Sequence, residues 1–169
     1  VTALEVGLAL LRMFHVTETP ALRARAATAA VLIVHAAERE RVDPMLLAAV
    51  VVKESSARPD VRGRAGEIGM GQILPGRVSR RICAGLDLWH PPDNVRCAAR
   101  YLRTARETCG GRPRDFLIWH NTGRCSGPSR YADRVLRIAR RGNPRPSRAG
   151  GVRVAAVTDT IAAWFPASP

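Results

Sequence analysis

Lys53-Glu54-Ser55-Ser56, followed after a polar stretch by Gly66-Glu67-Ile68-Gly69-Met70-Gly71-Gln72, decides how the rest of this chain is read. Glu54 ends an apolar run, Met45-Leu46-Leu47-Ala48-Ala49-Val50-Val51-Val52, with the character of a buried helix. A carboxyl group in such surroundings ionises reluctantly because low dielectric disfavours its charged form. A raised pKa in turn makes it a proton donor near neutral pH. Pro59, Gly63, Gly66, Gly69 and Gly71 predict a loop whose backbone takes positive φ or approaches a neighbour closely. Gln72 closes that loop with an amide that both donates and accepts. On its own, a glutamate at a helix terminus reads as a solvated residue; the glycine loop and Gln72 behind it make Glu54 a candidate catalyst.

Upstream, Asp43-Pro44 is a helix start, with Asp43 as cap and Pro44 in the first turn, and the helix it opens buries Leu46, Leu47, Val50 and Val51. Thr19-Pro20 starts another in the same way. This second helix runs to about Arg41 on a core stripe of Leu22, Ala26, Ala29, Ile33 and Ala37, with Glu38-Arg39-Glu40-Arg41 as its solvated end and His35 at a packing boundary. Residues 3–15 read as a first helix, with Leu4, Leu8, Leu11 and His15 at helical spacing and Val6, Leu10 and Phe14 beside them. Downstream, a short helix ends near Ile82-Cys83, and Leu86, Leu88 and Trp89 form an apolar anchor. Pro91-Pro92-Asp93-Asn94 introduces a helix to about Thr108, capped by Asp93 or Asn94 and ended by Gly110-Gly111. Pro113 opens a helix ending at Trp119-His120-Asn121-Thr122-Gly123. The last helix runs from near Ser129 to Gly142 with Tyr131, Val135 and Ile138 on one face.

Glu-Ser at a helix end, then Gly-x-x-Gly with a Gln beyond it, resembles the soluble lytic transglycosylases, a glycoside hydrolase family with a lysozyme-like fold. Asn94-Val95 followed by Tyr101-Leu102, Asn121 with Gly123, and Tyr131 with Val135 continue the resemblance in family order over residues 43–140. The usual wording of the second motif is Gly-x-x-Gly-Leu-Met-Gln. Gly71 stands here in place of a bulky residue, which predicts a looser loop. His120 stands where a Tyr is usual. The resemblance implies a mostly α, lysozyme-like single domain of about seven or eight helices around a glycan-binding cleft. It makes Glu54 the catalytic acid and marks Ser55, Ser56, Met70, Gln72, Asn121 and Tyr131 as substrate-binding residues, with peptidoglycan glycan strands as partner. Tyr131 would orient Glu54 or the substrate, or else serve as a core residue with a satisfied hydroxyl. Cleavage would yield a 1,6-anhydro-muramic end with Glu54 as acid and then base, so one carboxylate suffices.

Hydrolysis is the near rival. It needs a second carboxylate about 5 to 9.5 Å away, for which Glu67 is the candidate and Asp60 a weaker one. Otherwise Glu67 fixes the loop by pairing with Arg62 or Arg64. The setting stays open among wall remodelling, a secretion, pilus or phage machine, and attack on a competitor.

The 169 residues suit one domain, residues 1–141, with helices in 1–41 and a catalytic core in 43–141; residues 142–169 read as a Pro/Arg/Gly linker and short apolar tail ending in Trp164-Phe165. No apolar run is long enough to predict a transmembrane segment. The net charge of +13 is almost all arginine, since Lys53 is the only lysine. It reflects either base composition of the genome or attraction to a polyanion. A non-enzymatic, polyanion-binding module is therefore a third reading, although no specific nucleic-acid signature appears. Cys83, Cys97, Cys109 and Cys125 lack any C-x-x-C spacing, so no metal or other cofactor is expected. Three disulfide connectivities are possible, and we favour Cys83 with Cys97 and Cys109 with Cys125, each tying a loop to a helix end. Disulfides would place the protein in the periplasm or outside the cell.

Overall fold

A computed structural model describes residues 1–143, in which seven helices follow one another: α1 (Ala3–Phe14), α2 (Pro20–Glu40), α3 (Pro44–Ser55), α4 (Arg77–Ile82), α5 (Pro91–Cys109), α6 (Pro113–Thr122) and α7 (Arg130–Gly142). The linker and tail expected beyond them lie, apart from Gly142 and Asn143, outside the described residues. No helix among the described residues is long and apolar enough to cross a membrane.

α3 is the axis of the packing. Every residue from Leu46 to Val52 is buried, so the helix is apolar all round and must be enclosed. α1, α2, α5 and α7 enclose it. Each fully buried Leu or Val there contributes roughly 1.5–3 kcal/mol relative to exposure. Its start is fixed as the sequence predicts: Asp43 Oδ1 accepts from Met45 N at 2.7 Å and Leu46 N at 2.9 Å, with Pro44 in the first turn. Thr19 and Ser129 cap α2 and α7 through hydroxyls that accept from Leu22 N and Ala132 N.

Four expectations fail. In α1 the buried stripe is Val6, Ala9, Leu10 and Met13, whereas Leu4 and Leu8 are 49% and 38% exposed. A capping box between Thr2 and Glu5 fixes where the helix starts, and the face with Gly7 turns to α2, where Ala30 lies close. Asp93 and Asn94 do not cap α5, because the helix already begins at Pro91 with His90 as its cap residue. Glu40 is not solvated but 2% exposed. Its Oε1 accepts from Arg96 Nε at 2.7 Å and Arg100 Nε at 3.1 Å, and its Oε2 accepts from Arg103 Nη1. Those three arginines stand at i, i+4 and i+7 on α5, so one helix face presents them together to the end of α2. His35, expected at a packing boundary, is exposed.

The favoured disulfides are both present, Cys83–Cys97 and Cys109–Cys125, with Cα atoms 5.1 and 5.2 Å apart. They tie α5 to the end of α4 at one point and to the segment after α6 at another.

Candidate active site

The segment between α3 and α4 has little regular structure and is held by hydrogen bonds at most residues between 61 and 73. Isolated bridges join Ile68 to Arg62 and to Ile73. Gln72 adopts φ +47° and turns its amide inward, where Nε2 donates to Val61 O at 3.1 Å and Gly69 O at 2.9 Å. Both amide protons are thereby engaged within the loop. Gly63 lies beneath Glu67 and Gln72: a Cβ there would stand 2.0 Å from Glu67 Oε2 and 2.8 Å from Gln72 Oε1. Only glycine leaves room for those two side chains to cross it.

Two residues clamp this loop to the helices. From α3, the Ser55 hydroxyl is buried and donates to Met70 O at 2.9 Å, with Val51 O a second acceptor at 3.2 Å. From α5, Asn94 is 1% exposed; its Oδ1 accepts from Gly71 N at 2.7 Å, and its Nδ2 donates to Ile68 O at 2.9 Å and Leu88 O at 2.8 Å. Gly71 does not loosen the loop as expected. It is buried, and a Cβ on it would meet Ala98 Cβ at 2.9 Å, so the missing side chain lets the loop seat directly on α5. Asn94→Ala is expected to deprive the buried Gly71 N–H, the buried Ile68 carbonyl and the half-buried Leu88 carbonyl of these partners and to destabilise the protein by about 2–3 kcal/mol. Chemical denaturation checks the stability, and amide exchange should show the increase concentrated in residues 61–73.

Glu54, in the last turn of α3, is half-buried. Burial raises its carboxyl above the ordinary value of 4.5; hydrogen bonding from Tyr131 and the Lys53 ammonium lower it, and the nearby Glu67 carboxylate raises it further. Tyr131, from the first turn of α7, is pushed well above the usual phenol range by burial and by Glu54, so it is a neutral hydroxyl at any working pH. The structure thus brings together three of the sequence candidates, Glu54, Glu67 and Tyr131. Glu67 does not pair with Arg62 or Arg64. Its Oε2 accepts from Ala65 N at 3.0 Å, while the Arg62 guanidinium lies 5.2 Å from the centre of the Trp89 ring.

Behind Tyr131 the site continues inward. Lys53 Nζ stands 5.3 Å from the Tyr131 ring centre. His120 stacks on that ring at 5.7 Å and 6°, with Nδ1 3.4 Å from the Tyr131 hydroxyl, and Tyr101 meets His120 edge-on at 5.8 Å. His120 Nε2 is buried and has no hydrogen-bond partner among the described residues. Burial lowers its pKa from 6.5 to about 4, so the ring is neutral at pH 7. Stability from this neutral ring is complete above 6.5 and is lost as pH falls through about 4. That range corresponds to about 3 kcal/mol, and His120→Phe is expected to flatten the acid limb of the stability–pH curve measured by thermal unfolding.

The other candidates make none of the contacts within this cluster. Met70 is buried in the core, Ser56 is exposed at the end of α3 with φ 54°, and Asn121 is exposed in the last turn of α6. Sequence reading missed the clamp role of Asn94, although the Asn94-Val95 motif drew attention to the residue. It also missed Lys53 as a neighbour of Tyr131.

The family model described as Transglycosylase SLT domain matches residues 31–128. Among solved structures, the chain is similar to an inactive mutant of the lytic transglycosylase Slt from Pseudomonas aeruginosa, with a TM-score of 0.50 and 19% identity. That similarity covers 64% of this chain and 20% of the other, so the match spans about a fifth of that protein's length. The mostly helical arrangement is the fold the two share.

Proposed function

Because this chain belongs to the transglycosylase SLT domain family, we propose that it cleaves the β-1,4 bond between N-acetylmuramic acid and N-acetylglucosamine in peptidoglycan and leaves a 1,6-anhydro-muramic end. The observation that carries the reading is the Glu54 carboxyl, held by burial toward its neutral form beside a neutral phenol. As an acid, Glu54 protonates the glycosidic oxygen while the N-acetyl group of the muramic residue stabilises the developing cation. The carboxylate that results is stabilised by the Tyr131 O–H and the Lys53 ammonium. It then takes the proton of the 6-hydroxyl as that oxygen closes on the anomeric carbon, which returns Glu54 to its starting state. No water enters the balance.

His120 and Tyr131 divide their protons in the way that costs least. With Nδ1–H donating to the Tyr131 oxygen, the phenolic proton is free for Glu54, and the buried Nε2 is a bare acceptor rather than an orphaned N–H. Ser55, Met70 and Gln72 act in this scheme as positioning residues for the loop that carries Glu67, and exposed Ser56 and Asn121 are assigned to the glycan. The two disulfides fit an oxidising compartment, the periplasm or the cell exterior.

Hydrolysis with Glu67 activating water is the second reading, favoured by the electrostatic coupling of the two carboxyls. Mass spectrometry of the soluble products from purified peptidoglycan separates the two: anhydro ends are expected, and reducing ends in their place would overturn the transglycosylase assignment.

A further inference from the structure

Two arginine ladders run along this molecule, and only one has its counter-charge inside. On α5, Arg96, Arg100 and Arg103 converge on buried Glu40. On α7, Arg130, Arg134, Arg137 and Arg141 recur at i, i+4, i+7 and i+11; all four are exposed, and none has an ion pair or hydrogen bond among the described residues. The fold does not require these charges, because the buried face of α7 is made by Ala132, Val135 and Ile138. Like charges at i, i+4 oppose the helix that carries them. With Lys53 and Ser56 the four arginines line a groove of about 620 Å³. Among the described residues its only acidic lining residue, Asp133, is already bonded to Arg114 at 3.2 Å. The ladder spans about 16 Å along the helix at ~1.5 Å per residue. Lys53, at one wall of the groove, stands 5.3 Å from the ring centre of Tyr131, which hydrogen-bonds Glu54, so the groove is joined to the candidate acid through that pair.

We propose that this groove binds the carboxylates of the peptide stems on the glycan strand presented to Glu54, an inference that rests on the reading of Glu54 given above. Guanidinium forks match carboxylates two bonds at a time, and several stacked along one helix suit a ligand with more than one acidic group. Base stacking has little to work with, since Phe14 is the one aromatic among the described residues that line the groove.

The test uses Glu54→Gln protein, so that strands bind without turnover, and soluble glycan strands with stems intact or removed by an amidase. At about 0.15 M ionic strength, stemmed strands are expected to bind at least tenfold more tightly than stripped ones. Adding Arg134→Gln with Arg137→Gln should erase that preference and leave affinity for stripped strands unchanged. Arg134→Lys with Arg137→Lys should retain part of it. Equal binding of both strands, or a preference that survives the glutamine substitutions, overturns the inference and leaves the glycan reading standing. Binding of neither strand together with arginine-dependent binding of duplex DNA also overturns it; the products released by the wild type then show separately whether the glycan reading falls. The substituted side chains are exposed, and an unchanged melting temperature confirms that the comparison is between folded proteins.

Discussion

Glu54→Gln is expected to lower the rate of glycan cleavage by roughly 10²- to 10⁴-fold, the range for loss of a general acid–base group. Glutamine keeps the size and hydrogen-bonding ability of the side chain but has no proton to give to a leaving oxygen. Affinity for the glycan should therefore stay close to that of the wild type, with the loss falling on turnover. The same substitution makes a second prediction that guards against mistaking unfolding for lost chemistry. A carboxyl raised in the folded state contributes stability that is complete below its unfolded value of 4.5 and is lost as pH rises through the folded value. Glutamine does not titrate. The variant should thus gain stability relative to the wild type as pH rises through that window, and the gain should vanish below 4.5. Turnover assays and paired thermal melts at several pH values check both. A variant that retains most of its turnover would remove Glu54 from the mechanism.

Glu40→Ala is the largest expected change in stability, about 3–5 kcal/mol, because it leaves three half-buried cations without their common partner. Arg96, Arg100 and Arg103 are 30%, 17% and 38% exposed, so water relieves each of them only in part. Removing one arginine instead leaves Glu40 with two, and should cost less. Three cations outweigh the desolvation of Glu40 and hold its carboxyl below 4.5, so its stabilisation is present above that value and fades as pH falls through the lower folded one. The urea midpoint should drop with little change in slope, and the melting temperature should fall by roughly 6–20 °C. A loss below 1 kcal/mol would mean that the ion cluster is no better than solvated charges.

The two residues behind these predictions were not equally legible. Glu54 could be found because its signals are local: an apolar helix before it and a glycine loop with Gln72 after it. Caps were equally legible at Thr19 and Asp43, since each acts within three residues of itself. Glu40 was misread because its partners arrive from 56 to 63 residues away, while its neighbours Glu38, Arg39 and Arg41 resemble a solvated end. The stripe through Ile33 and Ala37 nevertheless continues to position 40, so periodicity held a clue that residue type concealed. Asn94 was misread in the opposite sense. An Asn near a helix start suggests a cap, but the helix begins earlier and carries that side chain against the loop. The α1 register failed because its leucines outnumber the smaller residues that close packing on α2 needs.

Gly71 and Ala98 touch across the loop–helix boundary with no space for another carbon between them. The two positions therefore behave as a single unit of inheritance: bulk acquired at one is tolerated only if the other, or the backbone, has already yielded. Gly71→Ala should be costly alone and milder in combination with Ala98→Gly, giving a double-mutant cycle with a coupling energy of about 1 kcal/mol or more. An additive cycle would show that the backbone yields without help from position 98. A chain with glycine at position 71 and a chain with a bulky residue there are then separated by an ordered path of substitutions, in which the helix must change before the loop.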